Sequence, residues 1–299
     1  MTIAYPAQRI DAPGSSYVVE MKPICAWLLV GTLSCVVNAA RAQLQTVPDP
    51  AVPQIFGGMP QKVNVRWYNA GETTVRADIH AQLYQTTSAT AVSWGSATTT
   101  PLEVLPQQTV LESVPLTFPA VRAKTRFLLQ WSVGSNRPPE PMEIFVYPTN
   151  LLNELNSLVH GDDLGVLDPN DRIKPLLTQS SIEFLDLGTV PLETFDGRLA
   201  IIGPFEKKTQ MRAGLGAAIQ KIAAAGVAVV WLQSPANSDE DIKPSYCVVS
   251  ANKAAVVVVQ PELIASVASS PQAQLNLVYL CKLSLNPATF SLPNLTSQP

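Results

Sequence analysis

Apolar and polar residues alternate along much of the first half of the chain. The alternating stretches are residues 63–67, 75–83, 109–118, 125–133 and 142–147. A period of two residues predicts β-strands that bury one face, and turn-forming residues separate them. Strands that recur about every 10 to 20 residues predict an antiparallel, Ig-like β-sandwich of about seven strands over residues 43–148. The Ser- and Thr-rich stretch 86–100 is predicted to be a loop or a weak edge strand.

The second half shows a different pattern, in which unbroken apolar runs flank a segment with helical spacing. Leu199–Ile202 and Val227–Leu232 are apolar throughout, as expected of strands covered on both faces. Between them, apolar residues recur at helical spacing, at Met211, Leu215, Ala218, Ile219 and Ile222. This spacing predicts an amphipathic helix that has its N-cap at Thr209 and ends at Gly226. The segment is therefore expected to be a right-handed βαβ unit.

Further apolar runs extend this unit to a sheet of five strands. The apolar runs are residues 164–167 and 254–259, and residues 182–187, in which acidic residues interrupt the apolar ones, are also predicted to be a strand. Helices are predicted over 151–159, after an N-cap at Asn150, and over 272–285. Strands that alternate with helices predict a flavodoxin-like, doubly wound parallel sheet over 149–290, with strand order 2-1-3-4-5.

The expected fold class is therefore α+β and multidomain. An N-terminal Ig-like antiparallel β-sandwich is followed by a flavodoxin-like α/β domain with a doubly wound parallel sheet, and residues 291–299 form a tail.

The first 42 residues have the layout of a secretory signal. A basic start at Met21–Lys22 is followed by an apolar run and by Ala40-Arg41-Ala42, which is an A-x-A cleavage pattern. We interpret residues 1–20 as an over-called extension and expect export to the periplasm or the exterior after cleavage near Ala42. A lipoprotein box ending at Cys35 is a weaker alternative, and the apolar run is short for a retained anchor.

Charge and cysteine content narrow the classes of partner. The net charge of the 299 residues is −3 and no basic stripe is present, which argues against nucleic-acid binding. Cleavage of the signal would leave Cys247 and Cys281, which could pair in an oxidising compartment. The burial habits of cysteine favour two buried thiols instead. Zinc spacing is absent from the sequence, and neither a metal nor a cofactor is predicted.

Four segments resemble a known superfamily. They are YPTNLLNEL (147–155), LGVLDPNDRIKPLL (164–177), LAIIGPF (199–205) and VAVVWLQ (227–233). Together with the sandwich, they resemble the class I glutamine-amidotransferase-like superfamily. The similarity is greatest to its carbohydrate-associated branch, in which such a domain follows an Ig-like sandwich in exported bacterial proteins. The resemblance covers roughly 43–290 and is architectural.

The resemblance does not extend to the catalytic elbow. Active members of the superfamily carry G-x-C-x-G after the strand that matches Val227–Leu232, with a His and a Glu further on. Here that strand runs into Gln233-Ser234-Pro235, and no His follows His160. A strained nucleophile turn needs small neighbours, which Pro235 does not provide. The resemblance therefore implies a non-catalytic domain, and no catalytic residue is predicted.

Topology predicts where a ligand would bind. Ligands of open α/β sheets bind beyond the C-terminal strand ends, where the strand order reverses. That point lies between the loops after strands one and three, Asp168–Asp171 and Gly203–Glu206, with Gln233 and Ser234 nearby. The predicted ligand-binding residues are Asp168, Asn170, Asp171, Phe205, Glu206, Gln233 and Ser234. An open pocket requires that Phe205 does not fill this space.

Simpler interpretations exist for several of these residues. Asp168, Asn170 and Asp171 can form a turn that caps the next helix, and Ser234 can be an ordinary loop serine. His160, with the two aspartates that follow it, fits a solvated helix end better than a metal site. The Gly214-x-Gly216 pattern is expected within a helix, so it does not indicate a phosphate loop.

The remaining aromatic and titratable candidates are weaker. Trp67 and Trp131 are expected in the sandwich core, which leaves Trp94 as the tryptophan able to stack on a sugar. His80 falls on the polar face of a strand. Glu140 and Glu143 have no partner that the sequence places, so a glycosidase pair is not supported.

Two classes of function remain open. The first is an exported, non-catalytic binding or scaffold protein, associated with carbohydrate use or the cell envelope, whose partner is a carbohydrate or another protein. The second is a hydrolase with an unrecognised site around Asp168 and Ser234. A protein adaptor that docks through a strand edge is a third, weaker possibility.

Overall fold

The structure is a computed structural model. It describes residues 44–47, 49, 51–87, 89–98, 101–133, 140–205, 210–233, 246–251 and 254–287. The predicted signal segment, Glu206, the expected helix cap Thr209 and Ser234 lie outside these residues. In the described part of the chain, no helix is both long and apolar enough to span a membrane.

Ten of the described strands lie in the first half of the chain. They are β1 Leu44–Val47, β2 Gln54–Phe56, β3 Pro60–Asn69, β4 Val75–Ala77, β5 Ile79–Thr86, β6 Ala91–Thr98, β7 Leu102–Val104, β8 Thr109–Thr117, β9 Thr125–Val133 and β10 Met142–Tyr147. Two main sheets have the strand orders β1-β3-β8 and β2-β10-β9-β5-β6, and β4 pairs with β7. The pairings are antiparallel except that of β2 with β10, which is parallel. The stretch 91–98 is thus an edge strand.

The two main sheets share one apolar core, as the alternating pattern predicts. Trp67 on β3 and Trp131 on β9 are both 0% exposed. Their rings meet edge to face, with 5.7 Å between the centroids. Neighbouring positions on the same strands, such as Arg66 and Ser132, are exposed. The period of two therefore placed these side chains on the correct faces.

The second half contains a mixed sheet of six strands. Its strands are β11 Leu164–Leu167, β12 Leu185–Asp186, β13 Leu199–Ile202, β14 Ala228–Leu232, β15 Tyr246–Ala251 and β16 Ala255–Val259. The strand order is β12-β11-β13-β14-β16-β15. The five parallel strands confirm the predicted order 2-1-3-4-5. The sequence analysis missed β15, which pairs antiparallel with β16 at the sheet edge.

Helices cover both faces of this sheet. The α-helices are α1 Lys174–Gln179, α2 Leu215–Ala225 and α3 Pro271–Leu285, and short 3-10 helices span 151–157, 161–163, 192–194 and 261–264. Helices α1 and α3 bury their apolar sides in one core with Val166, Ile201 and Val230. Helix α2 packs on the other face, against Ala200 and Val229. The unbroken apolar runs are therefore explained by a sheet that is covered on both sides.

The predicted start of one helix was wrong, whereas the predicted start of another was right. Helix α2 begins at Leu215, and Gly214 is its N-cap with φ of 81°. This left-handed conformation suits glycine and stops the helix from extending back to Met211. Gly214 therefore precedes the helix and is not within it. The helix predicted after Asn150 begins at Leu151 as expected, but it is a 3-10 helix that ends at Ser157, and the Asn150 side chain makes no capping hydrogen bond.

The two cysteines differ from each other. Cys281 is buried in α3, as predicted, whereas Cys247 is exposed on the edge strand β15, so its predicted burial was wrong. Both are free thiols. Burial raises the pKa of Cys281 to about 12, so this thiol stays protonated at neutral pH.

Candidate functional site

Asp168, the first residue after β11, has a buried carboxylate that holds the start of α1. The residue is 1% exposed. Its Oδ2 accepts hydrogen bonds from the backbone N–H groups of Ile173 (2.6 Å) and Lys174 (3.1 Å). These are the N–H groups that a helix start leaves without an intrahelical partner. The simpler interpretation of this turn, as a helix cap, is therefore confirmed for Asp168.

The other carboxylate oxygen of Asp168, Oδ1, does not bind the N–H groups at the start of α1. Oδ1 is buried and has no hydrogen-bond partner among the described residues. Asp168 lines a cleft of about 120 Å³ whose other described lining residues include Lys174, Gly188, Gln210 and Arg212. A buried acceptor without a partner is unusual in a folded protein and calls for a donor. A ligand bound in the cleft can supply that donor.

A cation stands at the wall of this cleft, within reach of several carboxylates. Lys174 Nζ lies 2.9 Å from Asp186 Oδ2 and 3.7 Å from Asp171 Oδ1. Burial lowers the pKa of Lys174, but the hydrogen bond and charge of Asp186, with the charges of Asp171 and Asp168, outweigh it and raise the pKa overall. The hydrogen bond from Lys174 lowers the pKa of Asp186. Both groups are therefore charged at neutral pH.

Amide side chains connect the loop after β11 to the loop after β13. Asn170 Nδ2 donates to the carbonyl of Pro204 at 2.9 Å, and Gln210 Nε2 donates to Asn170 Oδ1 at 2.7 Å. Arg212 donates to the carbonyl of Gly188 at 2.8 Å, in the loop after β12. The three loops at this end of the sheet are thus joined by side-chain hydrogen bonds. Asn170 therefore holds the loop after β11 against the loop after β13.

Phe205 lies at the predicted pocket and is mostly buried. It is 8% exposed and packs in the core of the α2 face. Its side chain forms part of the wall of the Asp168 cleft. It also lines a second, mainly apolar cleft of about 200 Å³ beside Pro261 and Ile264. Phe205 therefore lines two small clefts at this end of the sheet and is itself mostly buried, because an apolar side chain between the loops is more stable away from water.

The remaining predicted residues are not all brought together. Asp171 is exposed beside Lys174, with φ of 50°. Gln233 follows β14 and donates its backbone N–H to Val259, and it lines neither of these two clefts. Glu206 and Ser234 lie outside the described residues.

Four residues of the site were missed by the sequence analysis: Lys174, Asp186, Gln210 and Arg212. A signal existed for Asp186, because it stands at the C-terminal end of strand two, next to strand one in the predicted order. The same rule of strand ends that identified Asp168 would have found it.

The other residues that the sequence suggested as site candidates do not form a second polar site within the described part of the chain. His160 and His80 are exposed. Within the described residues, no three His, Cys, Asp or Glu side chains come together as a possible metal site. Trp94 is 52% exposed, but it lies on strand β6. Glu143 forms an ion pair with Arg126 at 2.5 Å.

Comparisons with known proteins do not identify a family. No family model matches the sequence, and no curated protein matches it.

Parts of the chain are similar to solved structures of unrelated kinds. An alkylpurine DNA glycosylase of Pseudomonas fluorescens, bound to DNA, has a TM-score of 0.28 and 8% identity over 36% of this chain and 31% of its own. The sporulation control protein of Bacillus subtilis has a TM-score of 0.23 and 12% identity over 39% of this chain and 55% of its own. A chaperone–tip adhesion subunit complex of Acinetobacter baumannii pili has a TM-score of 0.26 and 12% identity, over 38% of this chain and 65% of its own. The chain spans less than two thirds of each, and scores this low carry no argument about fold or function.

Proposed function

We propose that the chain is an exported, non-catalytic binding protein that holds a small polar ligand at Asp168. The observation that carries this proposal is that Asp168 lines a cleft while its buried Oδ1 has no hydrogen-bond partner among the described residues. In the proposed fold, an Ig-like sandwich precedes a flavodoxin-like domain of the class I glutamine-amidotransferase-like kind. The core shared by two sheets and the strand order 2-1-3-4-5 support this assignment.

The chemistry of the cleft defines the ligand class. A carboxylate oxygen only accepts hydrogen bonds, so the ligand presents a donor to Asp168, either a hydroxyl group or an ammonium group. Lys174 and Arg212 line the same cleft and carry only donors, so they suit a second hydroxyl group or a carboxylate of the ligand. A volume of about 120 Å³ admits a small molecule such as a polyol or an amino acid.

A binding role is favoured over catalysis by the sequence. The strand that would carry the nucleophile is followed by Gln233-Ser234-Pro235, and no His follows His160. One observation favours the hydrolase alternative, since an unpaired buried carboxylate is also what a general base requires. If the protein is a hydrolase, Asp168→Ala and Ser234→Ala would each abolish turnover. A binding protein has no turnover to lose.

The variant Asp168→Asn tests the binding proposal. Its amide oxygen can still accept the N–H groups at the start of α1, whereas an NH₂ group replaces Oδ1 and opposes the donor of the ligand. Loss of a hydrogen bond to a charged acceptor is expected to weaken binding by about tenfold or more. The measurement is a thermal-shift screen of the purified protein with polyols, amino acids, sugars, divalent metal ions and nucleotides, followed by titration of any hit. A ligand at hundredfold excess over its Kd adds about 2.7 kcal/mol of stability.

A matched control comes from the same half of the chain. Asp162→Asn also removes one carboxylate, but Asp162 is exposed and does not line the cleft. It is expected to leave binding unchanged. A polyol or amino acid that binds Asp168→Asn as tightly as the parent protein would contradict the proposal, and so would a screen without any hit.

Export has its own test. The A-x-A pattern at Ala40-Arg41-Ala42 predicts that the exported protein begins at Gln43. N-terminal sequencing of protein recovered from outside the cytoplasm is expected to read Gln-Leu-Gln-Thr. A mature protein that begins with a lipid-modified Cys35 would support the lipoprotein alternative, and an uncleaved chain would contradict export by this signal.

A further inference from the structure

A third cleft, larger than the two described above, lies where the first half of the chain meets the α/β sheet. It has a volume of about 430 Å³. The end of β2 contributes Phe56 and the turn after it contributes Met59. The segment after β10 contributes Thr149, Asn150, Leu152, Asn153 and Asn156, and the C-terminal end of α1 and the start of α3 complete the wall. Lys174, the first residue of α1, lines the Asp168 cleft, whereas Gln179, the last, lines this one. The two clefts therefore lie at opposite ends of α1 and are separate sites.

The polar groups of this cleft are uncharged. Its described lining residues include five side-chain amides: Asn150, Asn153, Asn156, Gln179 and Gln274. Hydroxyl groups are contributed by Thr149, Ser180 and Ser181, and no described lining residue is ionisable. An amide offers both donors and an acceptor, which matches a pair of neighbouring hydroxyl groups. A wall without charge does not suit a phosphate, a carboxylate or a metal ion.

Gln274 is the buried anchor of this wall. It is 6% exposed, and its Nε2 donates to the carbonyl of Val267 at 3.1 Å. Its Oε1 is buried and has no hydrogen-bond partner among the described residues. The bond to Val267 fixes the orientation of the amide, so the unpaired atom is an acceptor. An acceptor in this position is completed by a hydroxyl group of a ligand.

Apolar groups lie beside these amides. Phe56 is 4% exposed and Met59 is 41% exposed, and the side chains of Leu152 and Leu176 also line the cleft. A sugar ring has an apolar C–H face and a polar edge, so it can contact both kinds of group at once. The volume of the cleft falls within the range of small-molecule sites, about 300–1,000 Å³.

We propose that this cleft binds an uncharged carbohydrate the size of a monosaccharide or disaccharide. The proposal goes beyond the site at Asp168 and does not depend on it. Hydroxyl groups of the sugar hydrogen-bond to Gln274 and to the amides around it, and the C–H face packs against Phe56 and Met59.

Isothermal titration calorimetry of the purified protein with neutral and acidic sugars tests the proposal. The probes are glucose, galactose, maltose and cellobiose, with glucuronic acid as the charged comparison. Asn153→Ala and Gln179→Ala remove exposed amides, so they leave the core intact. Together they are expected to weaken the binding of a neutral sugar about tenfold, as the loss of two neutral hydrogen bonds would. Glucuronic acid is expected to bind more weakly than glucose.

Variants outside the cleft show whether a loss of sugar binding is specific to this cleft. Gln272→Ala removes an exposed amide of α3 that lies outside the cleft, and Asp162→Asn removes an exposed carboxylate that also lies outside it. Both are expected to leave sugar binding unchanged. Binding that survives loss of Asn153 and Gln179 but disappears in Trp94→Ala would place the sugar on strand β6 and overturn the proposal. Absence of binding by every neutral sugar at millimolar concentration would overturn it too.

Discussion

Replacing Trp131 with alanine is expected to lower the free energy of unfolding by about 3 to 5 kcal/mol. Trp131 is fully buried between the two main sheets of the first half, where its ring meets that of Trp67. Its indole Nε1 has no hydrogen-bond partner among the described residues. Truncation therefore breaks no hydrogen bond between the indole and a described residue. The loss of stability arises from the cavity and from the lost apolar contacts.

Urea titration followed by circular dichroism measures this change. Trp131→Phe keeps a ring in the core and removes the unpaired N–H group, so it is expected to cost less than half as much. Trp94→Ala is the surface control, because Trp94 is 52% exposed, and it is expected to change stability by no more than about 0.5 kcal/mol. A loss below about 1 kcal/mol in Trp131→Ala would mean that the ring is not packed in the core.

Replacing Gly203 with alanine is expected to cost about 2 to 4 kcal/mol and to disturb the Asp168 cleft. Gly203 has φ of 95°, a conformation that alanine adopts only with strain. A Cβ atom at this position would lie 2.5 Å from the carbonyl oxygen of Leu232 and 3.2 Å from the ring of Phe205. The first contact is with backbone, so one of two adjacent strand ends must move.

Gly214→Ala separates the cost of backbone strain from the cost of the close contact with Leu232. Gly214 also has a positive φ, 81°, but a Cβ atom there would meet nothing within 4 Å. It is expected to cost only the backbone strain, about 1 kcal/mol. Thermal and urea unfolding of both variants measure the difference. If Gly203→Ala were no less stable than Gly214→Ala, the close approach of Gly203 to Leu232 would be contradicted.

Much of the sheet structure follows from local patterns. Strands β3, β5 and β9 show a period of two because one face of each is buried, and β13, β14 and β16 show unbroken apolar runs because both faces are covered. The strand order then located Asp168 at the switch point. These features depend on each residue and its immediate neighbours along the chain, which a sequence displays directly.

Other features depend on partners that are distant in sequence. Strand β15 was missed because its pattern is not periodic, and it is defined by pairing with β16. The partner of Lys174 is Asp186 on strand β12, and the partner of Asn170 is Gln210, which follows β13. The burial of Phe205 likewise depends on packing against residues from α2 and its neighbours, which lie elsewhere in the sequence.

The six residues of α1 are too few to be stable as an isolated helix. The helix is held by the burial of Leu177 and by the two N–H groups that bind the carboxylate of Asp168. The same bonds fix the rotamer of that side chain before any ligand arrives. The conformational entropy of orienting Asp168 is therefore lost during folding and not during binding. A preorganised acceptor of this kind lets even a small ligand bind with little additional ordering of the protein.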